Sequence, residues 1–184
     1  MPKCVLLEGI PGAGKTTMCN RLREGGFAVN VVPDIGNPAT LDNAFFMDYV
    51  WVLDVECLKS RLARRARASM SIQERGYLSV LAFHWSAHDG SYERVRDELL
   101  RRFRVGAFIP PDVTVVFPLP VELSGVRQPD VRMPVWRDVS MLNEIQKYYA
   151  TYCADVLFGE RVVMGMQDMS LDAFVQIVGG EHEG

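Results

Sequence analysis

Eight residues close to the N-terminus constrain this chain more than any others: Gly9-Ile10-Pro11-Gly12-Ala13-Gly14-Lys15-Thr16. They follow the pattern G-x-x-x-x-G-K-[ST], and their flanks are the ones that pattern needs. Lys3 to Leu7 is a short apolar run read as a buried strand, and Thr16 to Glu24 reads as a helix closed by Gly25-Gly26. Between strand and helix, the glycines let the backbone curl so that successive N–H groups point inward. The helix beginning near Lys15 adds its positive end. Such a cradle holds the β-phosphate of a nucleoside triphosphate, with Lys15 in reach of the β- and γ-oxygens and the Thr16 hydroxyl placed for Mg²⁺. Gly9, Pro11, Gly12, Ala13, Gly14, Lys15, Thr16 and Thr17 are therefore the expected nucleotide-binding residues, and ATP and Mg²⁺ the expected cofactors. The loop alone does not decide whether a phosphoryl group goes to water or to an acceptor.

Further strands follow the first. Phe27 to Val32 is a second apolar run, stopped by Pro33, and Met70 to Gln73 is a third short strand candidate. Pro110-Pro111-Asp112 launches Val113 to Phe117, the strongest strand signal, and Arg161 to Met164 is the last. Helical patterns lie between them at Leu41–Ser69 (with a break), Gly76–His88, Tyr92–Phe103, Ser140–Phe158 and Ser170–Val178. Pro118 to Pro134 is proline-rich and weakly periodic, and reads as a loop or flap. This alternation predicts an α/β fold: a single domain over 1–184, with a mostly parallel five-stranded sheet flanked by helices on both faces and a mobile lid over approximately 120–139. The length suits one domain, and 48% hydrophobic against 23% charged residues is enough to build its core.

The net charge of −3 argues against a nucleic-acid partner, which would want a basic surface. Local arginines still suffice for a small anion. Cys4, Cys19, Cys57 and Cys153 are scattered without zinc spacing and read as reduced, apolar thiols. His84, His88 and His182 are not arranged like metal ligands. No charged leader precedes the first strand, and no run reaches the roughly 18 apolar residues of a membrane span. A cytoplasmic protein without a membrane partner is expected.

In a parallel sheet, chemistry collects at the carboxyl ends of the strands, on the edge that carries the phosphate loop. Asp34 follows the second strand and Glu74-Arg75 the third, so both belong to that edge. Plainer readings stand beside these: Asp34 shaping the turn after Pro33, and Glu74-Arg75 as a local ion pair. The arginines from Arg61 to Arg67 suit a solvated helix face, and Trp51 and Trp85 suit packing. Phe45, Phe46, Tyr49 and Trp51 are candidates for lining an acceptor pocket.

Four motifs in order carry a resemblance: Leu7-Glu8-Gly9 through Lys15-Thr16-Thr17, Val31-Val32-Pro33-Asp34, Glu74-Arg75-Gly76-Tyr77-Leu78-Ser79, and Pro111-Asp112-Val113-Thr114-Val115 followed by Pro120-Val121-Glu122. Together they resemble the thymidylate kinase and deoxynucleoside kinase superfamily, over nearly the full chain though thinly between motifs. The resemblance implies an ATP-dependent kinase acting on a small-molecule acceptor. In it Asp34 corresponds to the general base on the acceptor hydroxyl, Glu74 to a carboxylate that helps to hold Mg²⁺, and Arg75 to a contact for phosphoryl groups or acceptor. Arg127, Arg132 and Arg137 correspond to lid arginines that close over the triphosphate, and Asp54 and Arg61 to the base-reading glutamine and the arginine two turns later. The catalytic set implied is Asp34, Lys15, Glu74 and Arg75, and the acceptor-binding set Asp34, Tyr49, Asp54, Arg61 and Arg75. A homodimer through the helices on either side of Glu74 is likewise implied.

The departures are informative. Thymidylate kinases carry an arginine after the second strand that meets the acceptor's phosphate, and Val32-Pro33-Asp34-Ile35 has none. This favours a neutral hydroxyl acceptor, nucleoside-like or another hydroxylated metabolite or antibiotic, over a nucleoside monophosphate. Asp54 in place of glutamine, and Val80 where an aspartate is frequent, argue against ordinary base recognition. A thymidylate-type monophosphate kinase and a slowly hydrolysing nucleotide switch stay open as alternatives, although Glu74-Arg75 and an arginine-bearing flap exceed what a switch needs.

Overall fold

The computed structural model describes residues 1–34, 48–127, 137–163 and 170–179. Its five strands are β1 (Lys3–Glu8), β2 (Val29–Val32), β3 (Met70–Glu74), β4 (Val113–Val116) and β5 (Glu160–Val163). They form one parallel sheet in the order β2-β3-β1-β4-β5. Central β1 is buried from Cys4 to Glu8, as a strand covered on both faces must be, which is why it reads as an unbroken apolar run. Its register, Leu7 against Glu74 and against Val115, brings the ends of β1, β3 and β4 to one edge.

Seven α-helices are described: α1 (Lys15–Glu24), α2 (Tyr49–Arg65), α3 (Tyr77–Ala87), α4 (Ser91–Arg104), α5 (Val121–Arg127), α6 (Val139–Lys147) and α7 (Leu171–Val178). The strand order assigns them to faces. The β1-to-β2 crossover steps one way along the sheet and the later ones step the other, so right-handed connections put α1 opposite α2, α3 and α4. The packing agrees: α1 meets α7, whereas α2, α3, α4 and α6 pack on one another. The direction of crossover therefore reverses between β1 and β3, the place where such sheets bind ligands. None of the described helices is long and apolar enough to cross a membrane.

Two segments differ from the sequence expectation. The flap read over Pro118–Pro134 begins with a helix, α5, whose buried Val121 and Ser124 face inward together. Its pattern is weak because the helix has only seven residues and contains Gly125, a poor helix former. Residues 128–136, with Arg132, lie outside the described residues. The long helix read over Ser140–Phe158 is regular only to Lys147, and continues as a wide π-type turn (Tyr148–Tyr152) and a tight one (Cys153–Asp155). Arg161 reaches back from β5 to donate to the carbonyls of Tyr149 and Ala150, both at 2.9 Å. The widened turn buries Tyr148 and Tyr149 side by side.

The opposite, amino edge is tied by Asp112. Its carboxylate receives both Arg64 Nη atoms at 2.7 Å and the backbone N–H of Cys4 at 2.7 Å, while Arg64 also donates to Pro110 O at 2.9 Å. One bidentate pair thus joins α2, β1 and the entry to β4. Arg64→Ala is expected to lower unfolding free energy by about 1–2 kcal/mol in urea titrations, with ATP affinity unchanged because the phosphate loop lies at the other edge.

Candidate active site

The loop leaves β1 at Gly9, whose φ of 139° belongs to glycine and where a Cβ would lie 2.5 Å from Phe117 O. Gly14, also left-handed, caps α1. Lys15 is buried and donates from Nζ to Gly9 O (2.8 Å) and Ile10 O (3.1 Å), so its ammonium lies inside the loop. Burial first, and then Arg75, lower its pKa to about 7, while Glu8, Glu74 and Asp34 pull the other way. Phosphate oxygens entering the loop would compete with those carbonyls and favour the charged amine. Thr17 is exposed on the first turn of α1.

The first residues of the flap sit on this loop. Ser124 Oγ donates to Pro11 O at 2.8 Å, and Arg127 Nη1 to Gly12 O at 3.3 Å. Arg127 Cβ stands 3.0 Å from the position a Gly12 Cβ would take, so glycine there admits the arginine. Arg137 is exposed directly before Asp138, whose carboxylate caps α6 through the amides of Ser140 (2.8 Å) and Met141 (3.2 Å).

Opposite the loop, the Thr16 hydroxyl donates to the Glu74 carboxylate, joining α1 to the end of β3. A hydroxyl beside a carboxylate is a hard-oxygen pair of the kind Mg²⁺ takes alongside nucleotide phosphates. Among the described residues no group of three or more His, Cys, Asp or Glu gathers as a metal cage. One hydroxyl and one carboxylate leave most of an octahedral shell to phosphate oxygens and water, so the two donors fit Mg²⁺ arriving with a triphosphate.

Next to Glu74, Arg75 adopts a left-handed backbone (φ 55°) and turns its Nε to 3.5 Å from Asp34 Oδ2. Asp34 Oδ1 lies 4.0 Å from Lys59 Nζ, and the Asp34 side chain is 29% exposed. The structure thus brings together Lys15, Thr16, Glu74, Arg75 and Asp34 on one edge, three chain segments apart in sequence.

Three charged residues of this edge, Lys59, Glu56 and Glu8, are not among the site residues read from the sequence. Lys59 is fully buried and donates to Arg75 O (2.8 Å), Glu74 O (3.4 Å) and Glu56 Oε1 (3.0 Å). Glu56 Oε2 in turn accepts from Gln73 Nε2 at 2.8 Å. Glu8 accepts from the amides of Gly76 (3.0 Å) and Ser79 (3.2 Å), from Ser79 Oγ (2.6 Å) and from Tyr149 OH (3.1 Å). Glu56 and Lys59 do leave a sequence signal: two charges on the stripe of Val52, Leu53, Cys57, Ser60 and Ala63 that α2 buries.

Asp54 and Arg61 do not join the site. Asp54 is 65% exposed and pairs with Arg102 of α4 at 2.6 Å, and Arg61 lies on the exposed side of α2. The reason is helical phase: Asp54 stands about 200° around the helix from Glu56, so a spacing carried along the sequence lands on the wrong face. Tyr49 packs edge-on against His84 of α3, ring centroids 6.0 Å apart. Trp85 stacks on Tyr152 at 4.5 Å, and Trp51 is exposed at the start of α2. Phe45 and Phe46 lie outside the described residues.

No protein-family model matches the chain. A thymidylate kinase from Burkholderia thailandensis is 30% identical over 151 residues, an alignment that covers 72% of this chain and 73% of that protein. The chain belongs to the thymidylate kinase family. A deoxyadenosine kinase from M. mycoides, solved with the products dCMP and a flexible dCDP bound, shares the fold at a TM-score of 0.63 over 96% of each chain, with 14% identity. With its phosphate loop and parallel sheet, this member of the thymidylate kinase family is a P-loop kinase.

Burial pushes the Glu56 carboxyl up from 4.5 to about 7, with Lys59 pulling it back. The folded protein therefore holds this proton more tightly than the unfolded chain. The contribution of neutral Glu56 is complete below pH 4.5 and is lost as pH rises through about 7. Urea titrations from pH 5 to 8 should show the wild type losing up to roughly 3 kcal/mol relative to Glu56→Gln, whose neutral amide does not titrate.

Proposed function

We propose that this kinase transfers the γ-phosphoryl group of ATP, with Mg²⁺, to a hydroxyl of a nucleoside-like or other small hydroxylated acceptor. The observation that carries this reading is the Asp34 carboxylate at the end of β2, held between Arg75 and Lys59 on the edge that bears Lys15, Thr16 and Glu74. A hydroxyl docked beside Asp34 would give its proton to the carboxylate as its oxygen bonds to the γ-phosphorus and the bond to the β–γ bridging oxygen breaks. Lys15 and Arg75 would bear on the charge that spreads over the transferring group. The bound Mg²⁺ would neutralise phosphate charge from its place beside Thr16 and Glu74. Arg127, at the rim of the loop, would add to the donor side, with Arg132 and Arg137 as further donors from the lid.

Charge near the acceptor supports a neutral substrate. From Glu24 to Leu58 the chain contains no lysine or arginine. Among the described residues, Lys59 is bound to Glu56 and to backbone carbonyls, and Arg75 is the cation nearest Asp34 outside the phosphate loop. A thymidylate-type monophosphate kinase is the second reading, favoured by the 30% identical relative that bears that name.

A panel of free nucleosides, nucleoside monophosphates and hydroxylated metabolites, followed by ADP release, separates the two. Turnover with unphosphorylated acceptors is expected, and turnover with thymidine monophosphate in their place would establish the second reading. With the acceptor so found, Asp34→Asn should lower kcat by about 10²–10⁴-fold and leave ATP affinity within about twofold. Retention of most activity would remove Asp34 from the role of base.

A further inference from the structure

Lys59 is buried to 0% exposure, and its ammonium faces two backbone carbonyls as well as the carboxylates of Glu56 and Asp34. The β3 strand pairs with β1 as far as Glu74, and Arg75 N–H donates to Leu7 O at 3.0 Å. The chain then swings through the left-handed Arg75 into Gly76, at the start of α3. A left-handed conformation at a residue with a long side chain persists where its surroundings over-determine it. From below, Lys59 supplies that constraint by drawing the carbonyls of both Glu74 and Arg75 onto one amine, at 3.4 and 2.8 Å. From above, Glu8 receives the amides of Gly76 and Ser79.

The side chains on either side of this pivot point to different partners, Glu74 to Thr16 and Arg75 to Asp34. Their directions are set by the same backbone turn. We propose that Lys59 is a positioning residue: by holding the carbonyls of Glu74 and Arg75 it sets both the carboxylate that meets Thr16 and the guanidinium that meets Asp34. The competing role is that of a counter-ion for buried Glu56, 3.0 Å away. The proposal rests on the reading of Thr16 with Glu74 as the Mg²⁺ side, but not on the identity of the acceptor.

The two roles separate in the double variant Glu56→Gln/Lys59→Met, which removes both charges together, compared with Glu56→Gln and wild type as full-length proteins. Two measurements use ATP and Mg²⁺ alone. Amide hydrogen exchange over residues 70–79 should quicken at least about tenfold in the double variant, with the amides of β1 and β4 unchanged. Affinity for a fluorescent ATP analogue in EDTA should stay within about threefold, while the gain on adding Mg²⁺ should shrink by about fivefold or more. A folded double variant with wild-type exchange over 70–79 and a wild-type gain from Mg²⁺ would overturn the proposal. So would loss of the fold in that variant, because the amine would then hold up the domain rather than the turn. Should the wild type itself gain nothing from Mg²⁺, the assignment of Thr16 and Glu74 fails, and the exchange measurement alone decides for or against Lys59.

Discussion

The site depends first on one buried carboxylate. Glu8 is the last residue of β1, immediately before the phosphate loop, and it is withdrawn from water completely. Burial raises its pKa, opposed by Ser79, Arg75, Lys15 and Tyr149. A carboxylate in such a place is tolerable because its lone pairs are filled by two amides and two hydroxyls. Those donors come from the start of α3 and from the widened turn after α6. One side chain thereby fixes the distance between the loop that takes the donor nucleotide and the turn that carries Glu74 and Arg75. Tyr149, four residues beyond buried Ile145, reaches inward to Glu8 from the face that α6 buries.

Much of this arrangement is visible in the sequence, for reasons that differ by element. The phosphate loop is legible because its chemistry is local: glycines with positive φ, a lysine and a hydroxyl stand in one uninterrupted segment. Strands β1 and β4 are legible because burial on both faces leaves largely apolar runs, whereas β3, Met70-Ser71-Ile72-Gln73-Glu74, shows only alternate apolar residues. Glu74-Arg75 and Asp34 could be placed on the correct edge from strand ends alone. Helix α5 could not, because seven residues with a central glycine give little periodicity, and what holds it is a serine bonded to a carbonyl more than a hundred residues away.

The acceptor side shows the limit of spacing as an argument. Asp54 and Arg61 follow a spacing carried over from the family, but they stand on the solvent side of α2. Glu56 and Lys59, two positions away from each, stand on the side that matters. Local sequence fixes the helix, and its rotation about its axis is set by which residues the sheet and α3 bury. The relevant clue was the presence of charges inside an apolar stripe, and its meaning required the positions of Gln73, Glu74 and Arg75. Family membership, in turn, accounts for the fold and for kinase activity, and the stretch that follows β2 carries no lysine or arginine before Lys59.

The two edges of the sheet divide the labour of the molecule. At the amino edge, Asp112 clamps β1, the entry to β4 and α2 with hydrogen bonds that involve none of the reacting groups. Stability anchored there is mechanically remote from the carboxyl edge. Segments at the carboxyl edge can then be exchanged, lengthened or recoloured with charge while the clamp keeps the strands in register. A scaffold of this design tolerates change at its carboxyl edge, because the clamp that keeps its strands in register lies elsewhere.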